Sequence, residues 1–212
     1  MGLQWLGKLP YRFDYSLEVA RQQWSLGTDT IDAWAGHWLA GYSIPGKARP
    51  RLIAEFNYAT GDGNQKDGRR HTFNQLFPSG HDKYGLADQV GWQNILHART
   101  GAEFKRAARW TAGVKFSGYW LADAHDALYN SAGTAIAQRV DGSAGRYVGS
   151  EIDETASYQY SKQLRVGGGF AHLFSGTFLN RATPGKDYNY PFVMLTIGLL
   201  TVGSRKRRLI RE

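Results

Sequence analysis

From position 51 to 58 the chain alternates, with Ile53 alone out of pattern. Leu52, Ala54, Phe56 and Tyr58 fall on one side, and Arg51, Glu55 and Asn57 on the other. An extended strand sends successive side chains to opposite faces, so this spacing writes a ribbon with one apolar and one charged face. A helix would mix the two sets. Seven further segments read the same way or carry β-rich composition: 13–23, 30–42, 94–104, 110–120, 147–160, 164–174 and 190–202. In 13–23, Phe13, Tyr15, Leu17 and Val19 oppose Asp14, Ser16 and Glu18. In 147–160, Glu154 interrupts the apolar side, and Gly167 to Gly169 lie in the middle of 164–174.

The connections alternate in length. Residues 43–49, 105–109 and 161–163 are short and carry basic side chains, whereas 61–93, 122–146 and 175–189 are long and rich in Gly, Asp, Asn and Ser. Short turns on one side and long loops on the other are the pattern of outer-membrane barrels. Trp and Tyr recur near the strand ends, including Trp34, Tyr58, Trp110, Trp120, Tyr147 and Tyr160, as an interfacial girdle requires. The expected fold is therefore all-β, an antiparallel transmembrane barrel with about eight strands in these residues and both termini on the turn side. A soluble barrel also alternates, but it turns its apolar face inward and needs no girdle.

Composition agrees. Aromatics make up 14%, and 26 glycines stand against 2 methionines. No stretch is apolar enough for a membrane helix. The chain lacks cysteine, which excludes disulfides and thiolate metal sites. A barrel segment over 1–203 is followed by a basic tail, 204–212, expected to be solvated. Residues 1–10 hold no signal-peptide core, so a secretion signal is expected upstream.

The stretches Phe13-Asp14-Tyr15-Ser16-Leu17-Glu18, Thr72-Phe73-Asn74-Gln75-Leu76-Phe77-Pro78, Ala171-His172-Leu173-Phe174-Ser175-Gly176 and Pro184-Gly185-Lys186-Asp187 together resemble the alginate export family of outer-membrane porins. The resemblance runs from about 13 to 199. It implies the C-terminal portion of a larger barrel of about eighteen strands in the bacterial outer membrane. It also implies export of an anionic polysaccharide through a basic lumen, with outer-membrane lipid and periplasmic export components as partners. Two departures stand out: the family's N-terminal half has no counterpart here, and the last strand runs through Leu199-Leu200-Thr201-Val202 into the basic tail instead of ending on an aromatic residue.

For export, the residues that matter face the lumen. By the alternation these are Arg51, Arg99, Lys115 and Arg165, with Glu18, Glu55, Glu103, Glu151 and Asp153. Arg and Lys in a pore favour anions; the same side chains can equally pair across neighbouring strands. The net charge of +8 asks for an anionic partner. Nucleic acid is discounted, because the basic residues are dispersed and form no stripe with stacking aromatics.

Other motifs carry less. Residues 61–68 fail the EF-hand register at Lys66 and Asp67, which leaves a turn-rich loop or a loose oxygen site of Asp62, Asn64 and Asp67. His125, Asp126 and Ser131 are close in sequence, but a triad is a matter of geometry. The expectation is a transporter without catalysis, metal or cofactor. The alternative is a small closed eight-stranded barrel with a structural or adhesive role through its long loops. A soluble ligand-binding barrel is third.

Overall fold

The computed structural model describes residues 1–81, 83–106 and 109–198. The long strands are β1 (Gly2–Lys8), β2 (Phe13–Leu26), β3 (Asp29–Ser43), β4 (Arg51–Ala59), β6 (Ile95–Arg106), β7 (Trp110–Leu121), β10 (Tyr147–Gln159), β11 (Leu164–Ser175) and β12 (Tyr188–Ile197). The long loops add β5 (Arg69–Arg70), β8 (Leu128–Tyr129), β9 (Ala135–Ala137) and one helix, α1 (Thr177–Ala182). The long strands follow one another in a single antiparallel sheet, β1-β2-β3-β4-β6-β7-β10-β11-β12; β5 lies parallel to β3.

Two expectations need correction. There are nine long strands rather than eight among the described residues, because β1 also pairs, Gln4 with Glu18 and Lys8 with Asp14. Its pattern is faint: Leu3 and Trp5 point outward, but Leu6 interrupts the polar side. The extra strand also moves the first residue to the loop side. The Met1 ammonium donates to the Arg21 carbonyl at 2.8 Å, and only the end of β12 lies on the turn side, where Ile197 meets Leu164. β1 and β12 are the two edges and are not paired to each other. Both run from loop side to turn side, so direct pairing between them would be parallel. The last expected segment, 190–202, is strand only to Ile197; its residues from 199 on, and the tail 204–212, lie outside the described residues.

The alternation is laid out as the sequence predicts, with the polar side covered. In β4, Ile53, Glu55, Asn57 and Ala59 are buried, whereas Leu52 and Phe56 remain 46% and 41% exposed. The exposed face carries two aromatic belts. On the loop side Trp34 packs on Tyr58 and Trp120 on Tyr147, at 4.6 and 5.6 Å between ring centroids. On the turn side Phe13 packs on Tyr42 and Trp110 on Tyr158, at 4.8 and 4.7 Å. Along β7 the ten-residue step from Trp110 to Trp120 measures about 33 Å at the usual strand rise. A tilt of about 40° foreshortens that to about 25 Å, the height of an outer-membrane apolar band. An exposed apolar face over buried charge is the reverse of a soluble barrel.

What covers the other face is loop. Phe73 and Val90 from residues 60–94, Leu128 and Ala144 from 122–146, and Phe178 of α1 pack on Ala35, Ala59, Ile95, Tyr119, Leu121 and Val148 at the loop end of the sheet. A second cluster sets Leu86 and Ala87 against Ala171, with Tyr190 and Phe192 beside them. Loop 60–94 thus folds over the inner face rather than standing away from it.

Candidate functional site

The register places the inward charges in rows across the sheet. Nearest the turns, Arg51 on β4 reaches two strands in opposite directions. Its Nη2 and Nε donate to Asp14 on β2 at 2.5 and 3.0 Å, and its Nη1 donates to Glu103 on β6 at 3.1 Å. Lys115 on β7 lies 4.0 Å from the other Glu103 oxygen. One row further in, Glu55 faces Arg99, Arg99 faces Ser117, and Ser117 faces Glu151. Arg99 donates from Nε to Glu55 Oε2 at 3.0 Å and also from Nη2, and both side chains are buried.

Above that row a hydrogen-bonded chain crosses four strands. His37 Nδ1 donates to Asn57 Oδ1 at 2.7 Å, and Asn57 Nδ2 donates to Glu55 Oε1 at 2.8 Å and to His97 Nδ1 at 3.0 Å. With Nδ1 accepting, His97 carries its proton on Nε2, 3.1 Å from Ser117 Oγ. Burying so many polar groups without partners would be costly, and the pairing across strands offsets most of that cost, leaving Glu151 Oε2 and Asp153 Oδ2 without a hydrogen-bond partner among the described residues. The face is therefore charged and largely paired, with Arg51 drawn on both sides by carboxylates and Arg99 held by Glu55.

The tip of loop 60–94 is fastened to this face. Leu86 N donates to Asp153 Oδ1 at 3.3 Å, Ala87 N donates to Glu151 Oε1 at 3.0 Å, and Tyr119 OH donates to the Tyr84 carbonyl at 3.1 Å. Gly85 makes the approach possible. Its φ is +96°, and a Cβ there would lie 2.5 Å from both Glu151 Oε1 and Tyr119 OH. His81 stacks on Tyr190 of β12 at 6.2 Å. A cavity of about 400 Å³ lies on one side of the tip, lined by Glu18, His37, Lys83, Tyr84, Trp92 and Arg99. Another of about 740 Å³ is lined by His81, Glu103, Lys105, Lys115, Tyr190 and Phe192.

The loop is itself held by Asp126, which is fully buried. Its Oδ2 accepts from Asp62 N at 2.9 Å and Thr72 Oγ1 at 2.5 Å; its Oδ1 accepts from Ala127 N at 2.7 Å and Tyr129 OH at 3.0 Å. Burial first, and the Asp126 charge second, push the Tyr129 phenol well above its ordinary value.

Of the residues singled out from sequence, Arg51, Arg99, Lys115, Glu55, Glu103, Glu151 and Asp153 come together on the inner face. Glu18 is on that face beside Gln4, at 3.3 Å. Arg165 stands apart at the turn end of β11, donating to Gln159 Oε1 at 2.8 Å. Asp14, His37, Asn57, His97 and Ser117 join the network although the sequence did not single them out; their inward alternation was the available signal. Asp62 Oδ1, Asn64 Oδ1 and Asp67 Oδ1 accept from the backbone N–H of Asn64, Lys66 and Arg69, each closing its own turn. His125 Nδ1 lies 3.0 Å from Asp123, and its neighbour Asp126 bonds elsewhere.

A comparison with curated proteins finds none that matches the chain. The model of the alginate export family matches residues 1–193. This nearly complete match joins the all-β antiparallel sheet with its charged inner and apolar outer face, and the chain belongs to the alginate export family of outer-membrane transport proteins.

Proposed function

We propose that this chain builds part of an outer-membrane pore that exports an anionic polysaccharide such as alginate past the charged inner face. The observation that carries the reading is the pairing of opposite faces: apolar and twice belted outside, charged and hydrogen-bonded inside. Residues 1–203 form the barrel segment in this reading, and 204–212 a basic tail. Arg51, Arg99, Lys115 and Arg165 offer cations to a carboxylated polymer. The neighbouring Glu18, Glu55 and Glu103 keep each contact weak, so the chain can be handed onward rather than held. The polymer moves unchanged, without catalysis or cofactor. Lipid of the outer membrane contacts the belted face, and periplasmic export components deliver the polymer to the turn side.

The small closed eight-stranded barrel is not favoured. Among the described residues there are nine long strands, the two edge strands run in the same direction, and β1 and β12 do not pair. Single-channel recording on Arg51→Glu with Lys115→Glu tests the transport reading. The expected result is a reversal potential shifted from anion towards cation preference. Unchanged selectivity would remove these residues from the path.

A further inference from the structure

We propose that the outer face carries a binding site for one anionic phospholipid of the turn-side leaflet, with an acyl chain in a groove across β2 to β7 and the phosphate on Arg12, Lys47 and Arg49. The site rests on the membrane reading above and adds to it a defined ligand.

The groove has a volume of about 620 Å³. Its floor is made of small outward residues on three neighbouring strands: Ala40 faces Ala54 and Ala54 faces Thr100, with Ala98 one step along. Thr100 Oγ1 donates to the Ile53 carbonyl at 3.1 Å, so its hydroxyl is already satisfied. Trp38, Phe56, Phe116 and Trp120 form the walls. Apart from Thr100 and the strand positions of Glu55 and Arg99, whose side chains pair with each other on the inner face, the lining is apolar, which fits a hydrocarbon chain and offers a sugar little to hydrogen-bond.

The same strands end in basic turns. Arg12 precedes β2, and Lys47 and Arg49 lie in the connection from β3 to β4. All three are exposed, and among the described residues no carboxylate lies within ion-pair distance of any of them. Neither turn contains an acidic residue. Arg12 and Arg49 also occupy left-handed backbone, at φ +70° and +42°. Side-chain-bearing residues rarely adopt that region, and they persist there where a fixed geometry is needed. Phe13 and Tyr42 sit between these cations and the groove, at the level where headgroups meet hydrocarbon. Ala54 is three residues beyond Arg51, about 10 Å along the strand and, at a tilt of about 40°, about 8 Å deeper than the turn. That spacing suits a phosphate at the turn and its acyl chain on the alanine floor. Unpaired cations beyond an aromatic belt are drawn to anionic headgroups. The polymer path is on the opposite face.

The test is native mass spectrometry of the detergent-released full chain, offered phosphatidylglycerol and phosphatidylcholine in equal amounts. One phosphatidylglycerol should be retained in preference. Arg12→Gln with Lys47→Gln and Arg49→Gln should lower its retention about tenfold or more. Ala54→Phe with Ala98→Phe should lower retention with the turn charges intact, which diffuse surface attraction would not. In the unaltered chain, added salt should weaken phosphatidylglycerol and spare phosphatidylcholine, a readout independent of how the variants fold. Equal retention of the two lipids, or retention indifferent to the triple change, overturns the site. So does preference for lipopolysaccharide, or displacement of phosphatidylglycerol by an oligouronate, which would assign the arginines to the cargo. Channel selectivity in neutral-lipid bilayers separates the two proposals: anion preference without lipid preference sinks the site alone.

Discussion

Gly41 on β3 is the gap through which Arg51 on β4 reaches Asp14 on β2. A Cβ at Gly41 would lie 2.5 Å from Arg51 Nη2 and 2.6 Å from Asp14 Oδ1. The ion pair therefore spans a whole intervening strand, and the missing side chain is what lets it do so. Gly41→Val should break the bridge while leaving both charges in place. Hydrogen bonds to charged groups contribute about 1.5–3 kcal/mol, which sets the expected loss of stability. The check is thermal unfolding in detergent, followed by the heat-dependent shift in gel mobility. Asp14→Ala in the Gly41→Val background should then add little, because its bond to Arg51 is already lost while Arg51 keeps Glu103; full additivity would mean that the bridge carries no stability.

Gly85 plays the matching part for the loop. Alanine there would meet Glu151 and Tyr119 while holding φ at +96°, a combination that costs about 1–3 kcal/mol. Gly85→Ala should free the tip of loop 60–94 from the inner face. Trypsin should then cleave at Lys83 faster than in the parent, and open-channel conductance should rise. Ala87→Pro removes one N–H donor to Glu151 and should act in the same direction. Unaltered cleavage in both variants would show that the latch does not hold the tip.

The strands were legible because alternation is a local property. Residues 51–59 could be assigned inward or outward from spacing alone, since an apolar outer face admits no other register. β1 was harder, since its polar side contains Leu6 and its small residues Gly2 and Gly7 carry no preference. The inward fold of loop 60–94 was not legible at all. It depends on contacts such as Leu86 N to Asp153, more than sixty residues apart in the chain, and a Gly-, Asp- and Asn-rich composition says only that the segment turns. The same holds for the network: Arg51 and Glu103 could each be placed on the inner face, but that they meet follows from the pairing of β4 with β6.

Asp126 holds the two largest loops together, and removing it leaves several buried donors without an acceptor. Asp126→Ala should cost about 3 kcal/mol or more, and hydrogen exchange should show loss of protection in 60–75 and 122–130 before the sheet opens. Its partner Tyr129 adds a pH signature. Folding raises the phenol above its ordinary value, so the stabilisation is fully present below about pH 10 and is lost as pH climbs from there towards the folded value. Loop protection should fall above that pH in the parent. Tyr129→Phe should be weaker at neutral pH but lack the alkaline step, and an identical step in both would clear Tyr129 of the role.

Glu154 is a charge in the wrong place for a lipid-facing strand. It points outward from β10 between Val114 and Phe170, which flank it in the register and are themselves 39% exposed. It lies four residues from the Tyr158 belt and seven from Tyr147, within the apolar band. A lipid-facing carboxylate near the middle of a barrel costs less than a lysine or arginine would, about 1–2 kcal/mol. Glu154→Leu should therefore raise the unfolding temperature in detergent or bilayer, an uncommon direction for a single change. Glu154→Gln should recover part of the gain by removing the charge and keeping the shape. If both variants are instead less stable than the parent, the carboxylate has a partner on that face. The position of Glu154 in the register would then direct crosslinking from Ile152 and Ala156, its outward neighbours on β10, to find it.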